Sequence, residues 1–255
     1  MAAGAVCKCL LRQFGIQVLS HVVEMGGIRA KTDDLTPTEI VARAEESPVR
    51  CADPVATQAI VTRVDEARGR GTSLGGVFEV QVLNTPMGLG SYVHWDHRLD
   101  GRLAQALMSI QAIKGVEIGL GFEISRRFGS EVQDEIFYQA PGAGGAAGEG
   151  FYRQTNFGGG LEGGMTNGEP VVVRAAMKPI PTQSRPLRTV TVDRFAPATA
   201  HRERSDVCAV PAASVVAEAM TAVVLADAFL EKFGGDAMCD ILYNYKHYLR
   251  RICGE

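Results

Sequence analysis

A glycine-rich segment at residues 156–168 is the part of this sequence best suited to contact a ligand through its backbone. It reads NFGGGLEGGMTNG and has six glycines in thirteen residues. Because glycine carries no Cβ, its amide groups stay accessible, and such a segment can lie flat against a planar ring or surround an anion. The alternative is a flexible turn between two strands, since glycine alone is a weak signal of function.

A lysine stands in a proline-stiffened segment, Lys178–Thr182, which reads KPIPT. The two prolines restrict the backbone, so the segment would present an ammonium group and a hydroxyl group from a stiff support. These groups suit an anionic ligand. The alternative is an ordinary surface lysine on an extended loop.

A charged cluster at residues 201–211, HRERSDVCAVP, leads directly into an apolar stretch that predicts a buried helix beginning at Pro211. The N-terminal end of a helix attracts anions, so this polar cluster is a candidate anion site. The alternative is a solvated helix start that is capped by Ser205 or Asp206.

Other motifs are weaker. Residues 107–119 run from a helix into a strand through polar Gln111 and Lys114, where core packing would explain most of the pattern. Residues 26–32 end in Lys-Thr but carry alanine where a phosphate-binding P-loop requires glycine. The two histidines of residues 94–97, without further ligands nearby, favour a loop over a metal site, so we predict no metal.

The elements that must position these segments are helices and strands in no regular βαβ order, which favours an α+β fold. Thr36–Glu39 is a capping box with proline at the first helical position, and Asp53 precedes a second such helix. A third helix is expected to be capped by Asp100, and the last two begin at Pro211 and Met238. Strands are predicted at residues 16–25, 75–83, 116–122, 134–138, 170–177 and 188–193.

The composition is that of an ordinary globular protein. The 255 residues are 46% hydrophobic and 22% charged, which is enough for one large core or two small ones. A net charge of −3 lacks the basic excess of nucleic-acid-binding proteins. No apolar run is expected to span a membrane, and no secretory signal is recognisable. Six cysteines without a CxxC pair favour free thiols and a cytoplasmic location.

Taken together and in this order, the segments closely resemble the chorismate synthase family in its longer bacterial form. The resemblance covers nearly the whole chain, and the combination of EGGMTNG, MKPIPT and RSD is highly specific. The runs that carry it are AAGAVCK, RLDGRLAQALMSIQAIKGVEIGLGF, DEIFY, TNFGGGLEGGMTNGEPVVVRAAMKPIPT and RSDVCAVPAASVVAEAM. It implies one domain over residues 1–255, with helices sandwiched between antiparallel β-sheets, usually assembled as a homotetramer. Residues 139–150, rich in alanine and glycine, are expected to form a mobile loop.

The resemblance implies a carbon–oxygen lyase of the shikimate pathway. The family removes phosphate and a hydrogen from 5-enolpyruvylshikimate-3-phosphate by an anti-1,4-elimination, which gives chorismate for aromatic amino acid biosynthesis. Reduced FMN is required although the reaction has no net redox change, and NADPH serves only as an indirect reductant. A substrate with two carboxylates and a phosphate requires cations in a dry pocket.

The resemblance also assigns site residues. Gln111 and Ala112 match the family's flavin-contacting pair, and Gly163 matches its flavin-contacting glycine. Arg204 matches an arginine that touches flavin and substrate, and Asp206 matches the aspartate implicated as proton acceptor. The segment around the FMN phosphate and ring corresponds to Lys178, Pro179, Ile180, Pro181 and Thr182. We therefore expect all these segments to converge on one flat, anionic ligand.

The family's upstream segments, which carry its active-site histidines and several arginines, have no counterpart in this sequence. That difference predicts an N-terminally truncated chain that is inactive alone. A catalytically dead flavin- or subunit-binding module is the second hypothesis. A glycine-rich scaffold without a ligand is the third, and it predicts no quenching of flavin fluorescence.

Overall fold

The computed structural model describes residues 1–139, 150–203 and 205–253 of the chain. Within these residues the helices are α1 (Ala2–Arg12), α2 (Pro37–Glu46), α3 (Pro54–Arg70), α4 (Leu99–Met108), α5 (Val210–Phe233) and α6 (Met238–Cys253). The strands are β1 (Gln17–Met25), β2 (Ile28–Arg29), β3 (Gly76–Leu83), β4 (Ile113–Ile118), β5 (Ile136–Gln139), β6 (Gly150–Arg153), β7 (Leu161–Glu162), β8 (Met165–Thr166), β9 (Val171–Met177), β10 (Arg188–Val190) and β11 (Pro197–Thr199).

The local signals at the starts of α2 and α3 act as predicted. The Glu39 amide donates to the Thr36 hydroxyl at 3.3 Å, and the Thr36 amide donates to the Glu39 carboxylate at 2.8 Å. These two bonds satisfy amides that the first helical turn leaves without partners. At α3, the Asp53 carboxylate accepts the Val55 amide at 2.8 Å, and Gly71 ends the helix with a φ of 68°.

Two predicted boundaries are wrong because backbone geometry outweighs the local pattern. Asp100 does not cap α4: the N-cap is Arg98, and Asp100 lies in the first helical turn. The strand expected at residues 116–122 is β4, and it ends at Ile118. Gly119 and Gly121 follow with φ values of 60° and 58°, which lie outside the β region, so the chain turns into a short 3₁₀ helix.

The predicted loop at residues 139–150 begins and ends in regular structure. Gln139 closes β5, Gly150 opens β6, and the two residues pair across an antiparallel ribbon. Residues 140–149, the rest of that predicted loop, lie outside the described residues.

A five-stranded antiparallel sheet of order β2-β1-β3-β9-β4 forms the centre of the fold. Strand β9 lies between β3 and β4, with Phe78 opposite Ala175 and Val80 opposite Val173. The neighbours β3 and β9 are far apart in sequence, so the sheet joins segments that no local pattern connects. Three two-stranded ribbons, β5-β6, β7-β8 and β10-β11, complete the strands of the described residues. The predicted mixture of helices and antiparallel sheet is confirmed.

The core lies between the central sheet and the helices α1, α4 and α5. Alternate side chains of β3 and β9 point to this face and are fully buried, as the period of two requires. Burial of each such valine or phenylalanine stabilises the fold by about 1.5–3 kcal/mol. Members of this core include Phe78, Val80, Val82, Val171, Val173, Leu103, Leu225 and Phe229. In the described residues the helices cover one large sheet, and the second sheet of the expected sandwich is not among them.

Helix α5 corrects the expectation that no apolar run could span a membrane. It has 24 residues, and by length and composition it is apolar enough to cross a bilayer. However, 61% of its most apolar window is buried inside the protein. Gly4 of α1 allows a very close approach, because a Cβ at this position would lie 2.4 Å from the Ala219 Cβ of α5. This packing is that of a core helix.

Candidate functional site

The site residues suggested by the sequence lie at the two ends of strand β9. We call these the Met177 end, where β9 stops, and the Val171 end, where it starts. The seven residues of this strand separate the two ends by about 20 Å, at a rise of about 3.4 Å per residue. The position of each candidate along β9 therefore decides whether it can contact the same ligand as the others.

Gln111 and Ala112 lie at the Met177 end, next to the lysine segment. The Lys178 amide donates a 2.9 Å hydrogen bond to the Ala112 carbonyl. Ala112 has a φ of 66°, in the left-handed region that a residue with a Cβ rarely adopts. This conformation costs of order 1–3 kcal/mol, and such strained residues cluster at functional sites. The strain gives independent support for a site here, beyond the sequence resemblance.

Two serines anchor the Lys178–Thr182 segment. The Ser73 hydroxyl donates to the Ile180 carbonyl at 2.5 Å, and the Ser205 hydroxyl donates to the Thr182 carbonyl at 2.8 Å. The second bond brings the charged cluster before α5 against the lysine segment. Asp206 follows Ser205 directly and is exposed, while Arg204 lies outside the described residues.

The polar cluster does not cap α5. The helix begins at Val210 with Ala209 as N-cap and no side-chain cap, so the proposed capping by Ser205 or Asp206 is wrong. Ser205 and Asp206 instead lie before the helix, and Ser205 uses its hydroxyl to hold the lysine segment. This leaves the Asp206 side chain at the surface of the Met177 end.

The side chains at the Met177 end are open to solvent in this chain. Gln111, Lys178 and Asp206 are all exposed. Their ammonium, amide and carboxylate groups could bind an anionic ligand and exchange a proton with it, but the described residues do not enclose them. The dry pocket expected from the sequence therefore needs further walls.

The glycine-rich segment lies at the Val171 end. Gly160 occupies tightly filled space, with a Cβ at this position 2.4 Å from the Pro170 carbonyl oxygen. Gly163 is different: it is exposed, has a φ of 61°, and would place a Cβ more than 4 Å from any neighbouring atom. The Gly164 carbonyl accepts the amide of Leu99 at the start of α4, whereas Ala112 lies beyond the end of that helix.

The prediction that all segments converge on one ligand is therefore wrong for the glycine segment of a single chain. Two independent elements, strand β9 and helix α4, separate Gly163 from Ala112 and Lys178. The structure brings together Gln111, Ala112, the lysine segment, Ser205 and Asp206, and it leaves Gly163 at the opposite end.

Comparison with known proteins decides the family. The family model described as chorismate synthase matches residues 1–230. The chorismate synthase of Desulforudis audaxviator is 54% identical over 252 residues, which are 99% of this chain and 63% of that protein. A chorismate synthase crystal structure aligns with a TM-score of 0.83 at 46% identity and covers 100% of this chain and 68% of that chain. This chain belongs to the chorismate synthase family.

A further relative supports the same assignment. The chorismate synthase of Pelobacter propionicus is 55% identical over 253 residues, which cover 99% of this chain and 64% of that protein. The chain thus spans less than two thirds of the length of these two chorismate synthases. Membership in this family confirms the resemblance drawn from the sequence motifs.

Asp134 holds the start of the glycine-rich segment, and the sequence motifs did not single it out. Its carboxylate accepts the Thr155 hydroxyl at 2.6 Å and the amides of Phe157 and Gly158 at 2.8 Å. Burial acts to raise the pKa of Asp134, but these hydrogen bonds and the charge of Arg153 outweigh it and hold the pKa below its ordinary value. The signal was present in the DEIFY run, which begins with this aspartate.

A buried polar cluster on the outer face of the sheet was also missed. The Arg174 guanidinium pairs with the Glu79 carboxylate at 2.7 Å, and His21 Nε2 lies 4.0 Å from the other Glu79 oxygen. Glu79 and Arg174 line a cavity of about 460 Å³, and His21 Nε2 has no hydrogen-bond partner among the described residues. Burial lowers the pKa of His21. The negative charge of Glu79 acts to raise this pKa, and the positive charges of Arg174 and Arg50 act to lower it, so the pKa remains below its ordinary value.

His21 should make the folded chain less stable in mild acid. Its pKa is lowered in the folded state from about 6.5 in the unfolded state. The unfolded chain therefore binds more protons below about pH 6.5, and the free energy of unfolding falls as the pH falls. Between about pH 7 and about pH 5, we expect the free energy of unfolding of a His21→Gln variant to fall by about 1 kcal/mol less than that of the wild type. Urea denaturation at both pH values measures this difference.

The matched control is His201→Gln, because His201 is exposed. This variant should follow the wild-type dependence on pH. If the free energy of unfolding changed equally with pH in the wild type and in the His21→Gln variant, His21 would have the same pKa in the folded and unfolded states.

Proposed function

We propose that this chain is the part of a chorismate synthase that contributes the Met177 end to the site of a reduced FMN. The reaction is the anti-1,4-elimination of phosphate from 5-enolpyruvylshikimate-3-phosphate to give chorismate, within aromatic amino acid biosynthesis. The observation that carries the proposal is the meeting of Ala112, Lys178 and Ser205, three separate family motifs, through two hydrogen bonds on one surface. Family membership supplies the reaction.

The residues at the Met177 end fit a flat, phosphate-bearing cofactor. Lys178 offers an ammonium group and Thr182 a hydroxyl group, on a segment that two prolines and two serine hydrogen bonds keep rigid. The left-handed backbone at Ala112 keeps the Gln111–Ala112 peptide beside that segment. When bound, reduced FMN would supply an electron-rich ring for the elimination.

The residues of this chain then have separate roles. Lys178 would neutralise the phosphate of the cofactor, and the Gln111–Ala112 backbone would orient its ring. Arg204, which lies outside the described residues, would contact flavin and substrate. The Asp206 carboxylate accepts the proton as the carbon–hydrogen bond breaks and phosphate leaves with the electrons of the carbon–oxygen bond. NADPH would act only upstream, as the source of electrons for FMN.

Assembly as a homotetramer in the cytoplasm completes the proposal. Gly163 cannot reach the flavin at the Met177 end of its own chain, so we assign it to the flavin site of another copy. Its exposed backbone and open surroundings suit such a contact. The burial of α5 inside the fold supports a role away from membranes.

A flavin-binding module without activity is the second candidate function. The observation in its favour is the exposure of Lys178, Gln111 and Asp206, which the described residues leave open to water. Elimination of phosphate requires a site that excludes water, whereas binding of FMN through its phosphate does not.

One experiment tests the flavin site and can exclude the second candidate. Purified protein is titrated into FMN while fluorescence quenching is followed, and chorismate formation is then measured anaerobically with reduced FMN and 5-enolpyruvylshikimate-3-phosphate. We expect Lys178→Met to weaken FMN binding by about tenfold or more, because an ammonium–phosphate contact is worth roughly 1.5–3 kcal/mol.

The control is Lys246→Met on α6, an exposed lysine away from the Met177 end, which should bind FMN like the wild type. Chorismate formation would exclude an inactive binding module, whereas flavin binding without chorismate agrees with both candidates. Equal FMN affinity of the wild type and Lys178→Met would remove the lysine segment from the site.

A further inference from the structure

The corner where α5 meets α6 carries two cationic side chains on one aromatic ring. Lys232 Nζ lies 4.6 Å from the centroid of the Tyr248 ring, and Arg251 Cζ lies 5.4 Å from the same centroid. The Tyr248 hydroxyl donates a 2.8 Å hydrogen bond to the Met87 carbonyl, which fixes the ring against the loop after β3. The ring therefore holds both cations beside a stable part of the fold.

A cavity of about 380 Å³ opens between these side chains. Its wall has aromatic, amide and cationic groups and includes no aspartate or glutamate. The residues that line it are Lys232, Phe233, Asn244, His247, Tyr248 and Arg251. The Asn244 amide donates to the carbonyls of Phe233 and Gly234 at 3.1 and 2.9 Å, which joins the two helices below the cavity.

The nearby acidic residues of α5 are engaged elsewhere. The Glu231 carboxylate lies 3.1 Å from His97 Nδ1 and 3.5 Å from Arg102, and Asp227 pairs with the same arginine. Within the described part of the chain, neither Lys232 nor Arg251 forms an ion pair with a carboxylate. The positive charge of the corner is thus not neutralised by these side chains.

The positive charges of Lys232 and Arg251 repel each other. Burial lowers the pKa of Lys232 below its ordinary value, and the positive charge of Arg251 lowers it further. A bound anion would offset this repulsion, since it attracts both charges at once.

We propose that this corner is a binding site for a phosphate group. An ammonium and a guanidinium that converge on one cavity suit a tetrahedral dianion, with His247 as a further donor. The Phe233 and Tyr248 rings leave room for a small organic part. The site is separate from the flavin site proposed for the same chain, because Tyr248 contacts Met87 near the Val171 end, while Lys178 lies at the Met177 end.

Both cations lie after residue 230, where the match of the family model ends. The phosphate has two sources to distinguish: free orthophosphate, or the phosphate of a small monoester. Isothermal titration calorimetry at constant ionic strength, first with orthophosphate and then with phenyl phosphate, separates them. Tighter binding of phenyl phosphate identifies a monoester that uses the aromatic wall, and equal or tighter binding of orthophosphate identifies the free anion.

We expect Lys232→Met and Arg251→Met each to weaken binding of the tighter probe by about tenfold or more. Both side chains are exposed, so both variants should fold, and circular dichroism checks this. Lys246→Met on α6 should bind the probe like the wild type. Absence of saturable binding to either probe would overturn the proposal. The same holds if Lys178→Met abolishes the binding while Lys232→Met and Arg251→Met leave it intact.

Discussion

Replacing Glu218 with glutamine is expected to lower the free energy of unfolding by about 3 kcal/mol or more. Glu218 on α5 is 8% exposed, and its carboxylate pairs with Lys8 of α1. The same carboxylate accepts the Ser20 hydroxyl at 2.7 Å and lies 3.4 Å from Arg50. Among the described residues, the Glu218 carboxylate is thus the anion at which helices α1 and α5 and strand β1 meet.

The physical reason is the charge that remains. Lys8 and Arg50 have side chains that are 23% and 14% exposed, so water solvates them only in part. Glutamine keeps the size of the side chain but leaves Lys8 without an ion-pair partner among the described residues. Arg50 loses one of its two carboxylates and keeps Glu45 at 2.6 Å. An unpaired, partly buried charge is strongly destabilising. Urea denaturation followed by circular dichroism measures the loss.

The control is Glu231→Gln on the same helix. The Glu231 side chain is 53% exposed, and its ion pairs with His97 and Arg102 lie at the surface. Because water screens such pairs, the free energy of unfolding of this variant should fall by less than about 1 kcal/mol. Similar losses in both variants would mean that burial of the Glu218 network contributes nothing.

Replacing Gly160 with alanine is expected to lower the free energy of unfolding by about 2–5 kcal/mol. Gly160 has a φ of 75°, and a Cβ there would lie 2.4 Å from the Pro170 oxygen and 2.8 Å from the Glu169 oxygen. Both obstacles are backbone atoms, so no side-chain rotation can relieve the contact. The left-handed conformation adds about 1–2 kcal/mol for any residue with a Cβ.

Gly163→Ala is the matched control within the same segment. Gly163 has a similar φ of 61° but has no atom within 4 Å of the added Cβ. The free energy of unfolding of the Gly163→Ala variant should therefore fall by only about 1 kcal/mol, because of backbone strain. Thermal or urea unfolding of the two variants compares them directly, and equal losses would show that the contacts around Gly160 do not constrain it.

This pair also separates structure from function in the glycine-rich segment. Gly160 and its neighbour Gly159 are needed because backbone strands approach within van der Waals distance of each other. Gly163 has no such packing reason, so its conformational freedom and exposed position remain available for a ligand. A sequence pattern alone treats these glycines alike.

Much of the local structure was predictable from the sequence because short-range rules govern it. The capping box at Thr36, the proline after Asp53 and the alternation of β3 each depend on residues a few positions apart. The predictions failed where a neighbour distant in sequence decides. Asp100 matches the pattern of an N-cap, yet α4 begins before it, with Leu99 bonded to the Gly164 carbonyl.

The sequence by itself determined the family, the residue types of the candidate site and most of the elements that hold them. Only the tertiary structure decided which of those residues meet. Pairing of β9 between β3 and β4 places Lys178 beside Ala112 and carries Gly163 to the other end of the sheet. The physical reason is that antiparallel pairing fixes positions along a strand through bonds between distant segments, and no local pattern encodes that register.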